Sequence, residues 1–183
     1  MITAWHFRDA PDRLRDGTPS VAGQVETYDS PLVMCKSGLH ASRRAIDALR
    51  YAPGPYVALV ECDGKVIEQG DKLVCARRRP LWIADAEGVL RWFARQCARD
   101  VLHLWTSPIP EAVRCWLDEE DLSEAARGAA ESAAESAAGS AARGAAWSAA
   151  GSAAGSAARG AAENAAREKQ NQVLESLLME LAK

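Results

Sequence analysis

The sequence predicts an α+β fold with a largely antiparallel sheet, on three observations. Short β-prone segments between turn residues, with one short helical segment among them, fill the first half of the chain, and sustained helical periodicity begins after residue 85. Strands followed by helices are typical of this fold class. Composition then changes near residue 122, because 23 of the 37 alanines follow Leu122. We therefore predict a globular domain (1–122), an Ala-rich helical region (123–168) and an amphipathic C-terminal helix (169–183).

Turn residues delimit the predicted strands. Asp63-Gly64 predicts a tight hairpin, because this dipeptide tolerates the positive φ angles that such a turn requires. Gly70-Asp71 predicts a second turn. The predicted strands are Met1–Phe7, Val25–Tyr28, Leu32–Cys35, Leu39–Ala41, Tyr56–Cys62, Lys65–Gln69 and Lys72–Ala76.

Four conventional helices are predicted from capping residues and apolar spacing. Ser42 is a candidate N-cap for a helix over Arg43–Tyr51, and Asp85 for a later helix of about five turns. Glu111–Leu117 is predicted as a short helix. An apolar stripe over Val173–Leu181 predicts an amphipathic helix that caps the Ala-rich region, docks on the N-terminal domain or joins subunits.

Between Ala125 and Glu168 the sequence repeats as Ala-Ala-x-y through eleven copies. Alanine favours a helix, but an isolated helix of this composition is marginal in water. Three small residues in every four let helices approach closely. We therefore expect a homo-oligomer built through this region or a helix that folds back, and the alternative is a flexible low-complexity linker.

Charge and composition exclude several classes of partner. A net charge of −3 and a pI near 5.7 disfavour nucleic acid, whose binding domains carry a positive excess. The sequence contains no apolar run long enough to cross a membrane and no leader peptide, so a cytoplasmic protein is expected. Five cysteines without C-x-x-C spacing and three histidines without ligand spacing predict neither a metal nor a cofactor.

The strongest ligand-site candidate is the junction between the Leu39–Ala41 strand and the helix after it. His40, Ser42, Arg43 and Arg44 lie there, where unpaired backbone N–H groups and neighbouring cations attract an anion. This pattern predicts a small, nucleotide-like anionic ligand. The alternative is a capped helix with solvated arginines.

Several separated motifs resemble a family found in bacteriophage and actinobacterial genomes, whose members often carry an Ala-rich tail with a four-residue period. The resemblance covers nearly the whole chain and implies a phage or prophage context without an established activity. The motifs are Gly38-Leu39-His40-Ala41-Ser42, Asp47–Gly54, Val57–Glu61, Gly64, Gly70-Asp71-Lys72 and His103-Leu104-Trp105.

A second resemblance is to ADP-ribosyltransferase-like folds. Those folds have a His on the first strand, a G-[L/I]-[Y/H]-x-[S/A] strand before a helix with A-x-x-Y, and a later acidic residue. The resemblance implies that His6, His40, Ser42 and Tyr51 surround a nicotinamide dinucleotide, with Glu61 polarising a ribose hydroxyl. The catalytic candidates are then His6, Tyr51 and Glu61. The sequence departs from the pattern at Phe7-Arg8, where small residues usually follow the first His.

Three functions follow as hypotheses. The first is a phage-type accessory protein, oligomeric through its Ala-rich helices, whose N-terminal domain binds a small anionic ligand or a host protein, for example in counter-defence. The second is an ADP-ribosyltransferase-like enzyme that uses a nicotinamide dinucleotide. The third is a structural scaffold protein that assembles through its tail. For a phage-encoded chain the expected location is the cytoplasm of the host cell.

Overall fold

The computed structural model describes residues 1–100, 102, 108–118, 128 and 154–183. These residues form an antiparallel sheet and several helices, which confirms the predicted α+β class. No helix among them is long and apolar enough to span a membrane. The elements are β1 (Ile2–Arg8), β2 (Glu26–Thr27), β3 (Leu39–Ala41), α1 (Ala45–Leu49), β4 (Tyr56–Gln69), β5 (Lys72–Asp85), α2 (Glu87–Asp100), α3 (Glu111–Leu117) and α4 (Ala154–Glu180).

The sheet closes on itself. β4 pairs with β1 along one edge and with β5 along the other, and β5 pairs in turn with β2 and β3. Directly after β3, the Ser42 backbone exchanges two hydrogen bonds with Trp5 of β1, at 2.7 and 2.9 Å. We call β1, β4, β5 and β3, closed by this pair, the strand ring. Closure satisfies backbone groups that an open sheet edge leaves unpaired.

Apolar side chains fill one face of the strand ring. Because side chains alternate along a strand, Ala4, His6 and Arg8 of β1 share a face. Ala4 packs there with other buried residues from β3, β4 and β5. The fully buried members of this cluster are Ala58, Val60, Cys62, Leu73 and Cys75. This core fixes the side-chain directions on which the candidate site depends.

The predicted hairpin at Asp63-Gly64 is wrong. β4 runs without interruption from Tyr56 to Gln69 and pairs with β5, and the register shifts between Asp63 and Val66. Gly64 has φ +74° at this shift, as in a β-bulge that inserts an extra residue into one strand. The hairpin turn lies instead at Gly70-Asp71, where Gln69 pairs with Lys72, as the second turn signal predicts.

The predicted strand Leu32–Cys35 is also wrong. Val33 pairs only with Ser37 across a tight turn, and Cys35 adopts a positive φ of 61°. The turn ends at Gly38, which has φ +110°. A Cβ atom at Gly38 would lie 2.5 Å from Val74 Cγ2, so this position requires glycine.

The predicted helix over Arg43–Tyr51 is shorter than expected. α1 spans only Ala45–Leu49, Arg44 is its N-cap residue, and no side chain at the N-cap position bonds to it. Ser42 is not the cap, because its backbone pairs with β1. Asp85 Oδ1 accepts the Glu87 N–H at 2.8 Å and so caps α2 as predicted. α2 spans 14 residues, about four of the predicted five turns, and most residues of the predicted last turn lie outside the described ones. The short helix predicted over Glu111–Leu117 is confirmed as α3.

The end of α4 docks on the N-terminal part of the chain, which was one of the three predicted alternatives. Leu174 and Leu178 are fully buried. Glu175 Oε1 accepts the Ala45 N–H and Asn171 Oδ1 accepts the Ile46 N–H, each at 3.1 Å. The C-terminal segment therefore supplies the capping groups that α1 lacks.

The chain divides into two compact units. The first, which we call the N-terminal unit, contains residues 1–91 together with the C-terminal segment, residues 167–183. The second unit contains residues 92–166. The first unit thus includes both the strand ring and the C-terminal segment. Most of the Ala-Ala-x-y repeats, with their predicted self-association, lie outside the described residues; the last repeats form the beginning of α4.

Candidate functional site

Charged and polar side chains are buried beside the apolar core of the strand ring. We call this group, defined by His6, Arg8, Ser20, Glu26 and Arg78, the interior polar cluster. All of these except His6 are at least nine-tenths buried, and His6 is partly buried. Burial of ionised groups is costly unless each charge finds a partner, so their pairing decides what the cluster can do.

Arg78 and Glu26 form a buried ion pair. Arg78 Nε donates to Glu26 Oε2 at 2.6 Å, and the two side chains are 3% and 4% exposed. Arg78 Nη1 donates to the His40 carbonyl at 2.6 Å, and the Ser20 hydroxyl donates to the other Glu26 oxygen. Both charges of this pair are therefore compensated and held by further hydrogen bonds.

Arg8 is buried to the same degree but has no carboxylate partner among the described residues. It is 3% exposed, and its Nη2 donates to the Arg13 carbonyl at 2.9 Å. Its Nε and Nη1 are buried and have no hydrogen-bond acceptor in the described part of the chain. Desolvation lowers the pKa of this guanidinium, although Glu26 acts in the opposite direction. Arg8 is thus a buried cation with open donors.

His6 lies on the same face of β1 as Arg8 and is held in its neutral form. Desolvation lowers its pKa well below the ordinary value, and the positive charges of Arg78 and Arg8 lower it further. A neutral imidazole has one donor and one acceptor nitrogen. His6 can therefore serve as a hydrogen-bonding group without adding charge to the cluster.

The predicted site residue His40 is engaged by the backbone. Its Nε2 accepts the Cys35 N–H at 3.0 Å, so Nδ1 carries the proton and donates to the Gly38 carbonyl at 3.0 Å. Burial is the main cause that lowers the pKa of the His40 imidazole. Both ring nitrogens therefore hold the turn between Cys35 and Gly38.

The other predicted ligand residues of the junction have partners within the chain. Ser42 is 2% exposed, and its backbone closes the strand ring. Arg43 forms two hydrogen bonds of 2.8 Å with Glu68. Arg44 lies between Asp47 and Glu168, at 3.5 and 3.6 Å. The C-terminal segment also accepts the first N–H groups of α1, so these donors are occupied in this arrangement.

The structure does not bring the catalytic candidates together. Glu61 pairs in register with Thr3, which places it on the opposite face of the sheet from His6. Glu61 accepts hydrogen bonds from Arg79 there. Tyr51 is 44% exposed and donates to Asp71 at 2.9 Å, while Lys72 Nζ lies 4.1 Å from its ring centre.

Arg8, Ser20 and Glu26 were not singled out from the sequence. A period of two along β1 places Ala4, His6 and Arg8 on one face. The sequence does not mark this face as buried, because Trp5 and Phe7 make the opposite face the more apolar one, and the structure buries both. No such pattern exists for Ser20, which lies between the predicted strands Met1–Phe7 and Val25–Tyr28.

A family model described as a domain of unknown function, DUF7666, matches residues 20–92. The matched range runs from Ser20 into α2 and contains Glu26, Arg78 and the His40–Arg44 junction, whereas β1 and the C-terminal segment lie outside it. Comparisons with curated proteins and with solved structures gave no match.

Proposed function

We propose that the N-terminal unit binds a small anion at Arg8, beside the core of the strand ring. One observation carries this proposal: Arg8 is 3% exposed, yet its Nε and Nη1 have no acceptor among the residues that the structure describes. An unsatisfied polar group costs about 1–3 kcal/mol when buried, and a charged group costs more. An anion beside these nitrogens would supply both the missing acceptors and the missing negative charge.

The surroundings of Arg8 support this assignment. Arg78 provides a second guanidinium, whose direction is set by its bonds to Glu26 and the His40 carbonyl. His6 offers a neutral hydrogen-bonding ring in the same region. Arg8 and His6 lie on β1, which is hydrogen-bonded along β4, and sites on rigid elements hold their geometry.

The contrast with other arginines strengthens the argument. Arg43 contacts Glu68, and Arg44 lies within 3.6 Å of Asp47 and Glu168, so their charges are compensated within the chain. Arg44 Nε and Nη2 also lack hydrogen-bond acceptors among the described residues, and the nearby carboxylates are what distinguishes Arg44 from Arg8. The sequence predicts a small anionic ligand at the His40–Arg44 junction. We propose a ligand of the same class, with Arg8 as its main contact. Binding at the junction itself stays a prediction.

The proposal is tested by thermal unfolding in a series of small anions at constant ionic strength. A ligand that binds only the folded state stabilises it by about 2.7 kcal/mol when its concentration is a hundred times Kd. We expect this stabilisation in the wild type and in Arg43→Gln, and its loss in Arg8→Gln. The Arg43→Gln control is needed because some anions stabilise proteins without a specific site.

Arg8→Lys provides a second variant, because it keeps the charge but removes the guanidinium with its open Nε and Nη1 donors. We expect the folded variant to bind anions more weakly than the wild type. Equal anion-dependent stabilisation in the wild type, Arg8→Gln and Arg8→Lys would overturn the proposal. Isothermal titration calorimetry of the wild type and of Arg8→Lys, each with the same anion, measures the difference in affinity without unfolding the protein.

The remaining functional hypotheses stay predictions from the sequence. These are the phage context with a host-protein partner, homo-oligomerisation through the Ala-rich region, the scaffold role and the cytoplasmic location. ADP-ribosyl transfer also stays a prediction, and the position of Glu61 opposite Thr3 gives it no geometric support.

A further inference from the structure

We infer that the ligand at Arg8 is a singly charged oxyanion, such as a carboxylate or a sulfonate, and that the site discriminates against a doubly charged phosphomonoester. This inference rests on the anion site proposed above. It follows from a count of the charges that are buried in the interior polar cluster and of the partners that each of them has.

The buried ion pair contributes no net charge. Arg78 and Glu26 contact each other at 2.6 Å, and Ser20 holds the second carboxylate oxygen. Arg8 then remains as one positive charge without a carboxylate in contact among the described residues. One negative charge neutralises the cluster, whereas a second would be buried without a partner.

The charged groups around Arg8 do not change this count. Besides Glu26 and Arg78, the groups that act on it electrostatically are Asp9 and Asp12. Both of these carboxylates are exposed, and Asp12 contacts Arg13 at 3.3 Å. Solvent and salt screen such exposed charges, so they neutralise a buried guanidinium only weakly.

The two histidines near the cluster are neutral at pH 7. Desolvation lowers the pKa of His6, as do the neighbouring guanidiniums. Both ring nitrogens of His40 are bonded to the backbone of the turn before β3. Neither ring therefore supplies the second positive charge that a dianion would need.

The cost of the second charge is what gives selectivity. An unpaired ion is strongly disfavoured in a desolvated site, and it either picks up a proton or stays in water. A phosphomonoester changes from one to two negative charges near pH 6. Its binding should therefore fall as the pH rises through that value, whereas a sulfonate keeps a single charge throughout.

Benzenesulfonate and phenyl phosphate form a matched pair of probes, because they share the ring and differ in charge at pH 8. We would measure their Kd values by calorimetric titration at pH 5 and pH 8, at constant ionic strength, with the wild type and Arg8→Lys. We expect benzenesulfonate to bind equally at both pH values. Phenyl phosphate should match it at pH 5 and bind at least tenfold more weakly at pH 8.

The outcomes separate this inference from the proposed function. If phenyl phosphate at pH 8 binds as tightly as benzenesulfonate or more tightly, and Arg8→Lys weakens both, the site exists but the charge count is wrong. A rise in the affinity of both probes at pH 5 also overturns the count. If neither probe binds in a manner that depends on Arg8, the proposed anion site itself is wrong.

Discussion

Removal of the Leu174 side chain should destabilise the whole N-terminal unit, because this residue anchors the C-terminal segment. Leu174 is fully buried, whereas Val173, its neighbour in α4, is 38% exposed. Replacement of a buried leucine by alanine costs about 2–5 kcal/mol, through lost apolar burial and the cavity that remains. Alanine is the better helix former, so the effect cannot come from a weaker helix.

For a domain of about 100 residues, 1 kcal/mol lowers Tm by roughly 4–8 °C, so Leu174→Ala should lower it by at least about 8 °C. The matched control Val173→Ala should cost much less. Tryptophan fluorescence reports the unfolding of each variant, since Trp5 and Trp82 pack edge to face at 5.8 Å in this unit. Heating gives Tm, and urea titration gives the free energy of unfolding. If the two variants lose the same small amount of stability, the docking of α4 on this unit is wrong.

Three further predictions concern the strand ring and the cysteines. Glu26→Gln should lower the free energy of unfolding in urea by about 3–5 kcal/mol, because it leaves Arg78 buried without its carboxylate. The control Glu61→Gln removes the carboxylate of a more exposed pair with Arg79 and should cost less than about 1 kcal/mol. Similar losses in the two variants would contradict the buried pair. Because the folded pKa of His6 is depressed, the unfolded chain binds more protons below about pH 6.5, so stability should fall as the pH drops through that value and towards the folded pKa; His6→Gln should flatten this slope, and an unchanged slope would refute the burial of the neutral ring. In a timed reaction with a thiol reagent, Cys35 should be labelled before Cys62 and Cys75, since only Cys35 of these three is exposed, and a hydrogen bond to Cys75 together with burial raises the pKa of Cys62; labelling of Cys62 at the same rate would contradict this.

The element types follow from local patterns, whereas two of their boundaries depend on distant residues. Asp63-Gly64 satisfies a hairpin and a bulge equally well, because both need a residue at positive φ. The bulge prevails because β5 is 14 residues long and pairs with β4 on both sides of Gly64. Ser42 has the chemistry of an N-cap, but the groups that cap α1 lie about 125 residues further along the chain.

Only part of the candidate site can be predicted from the sequence, because the rest depends on which distant residues pair. The alternation of β1 places His6 and Arg8 on one face, and this is readable from the sequence. That this face is buried is not readable, because Trp5 and Phe7 make the opposite face the more apolar one, and the structure buries both faces. The sequence does not show that Arg8 stays without a carboxylate among the described residues. From the sequence alone, Glu26 could pair with Arg8 or with Arg78. The register of β2 against β5 sets Glu26 opposite Arg78 and so decides which arginine remains open.

The docking of α4 also constrains how the chain is made. During synthesis the first 91 residues leave the ribosome well before Leu174, Glu175 and Leu178 do. At about 5–20 residues per second, the 87 residues from 92 to 178 take about 4–17 s to translate. Throughout that delay the Ala45 and Ile46 N–H groups of α1 lack the side chains that cap them, and the surface against which Leu174 and Leu178 are buried stays uncovered. The unit therefore completes its fold only after residue 178 has been synthesised, and a chaperone that binds apolar surface can act during this interval.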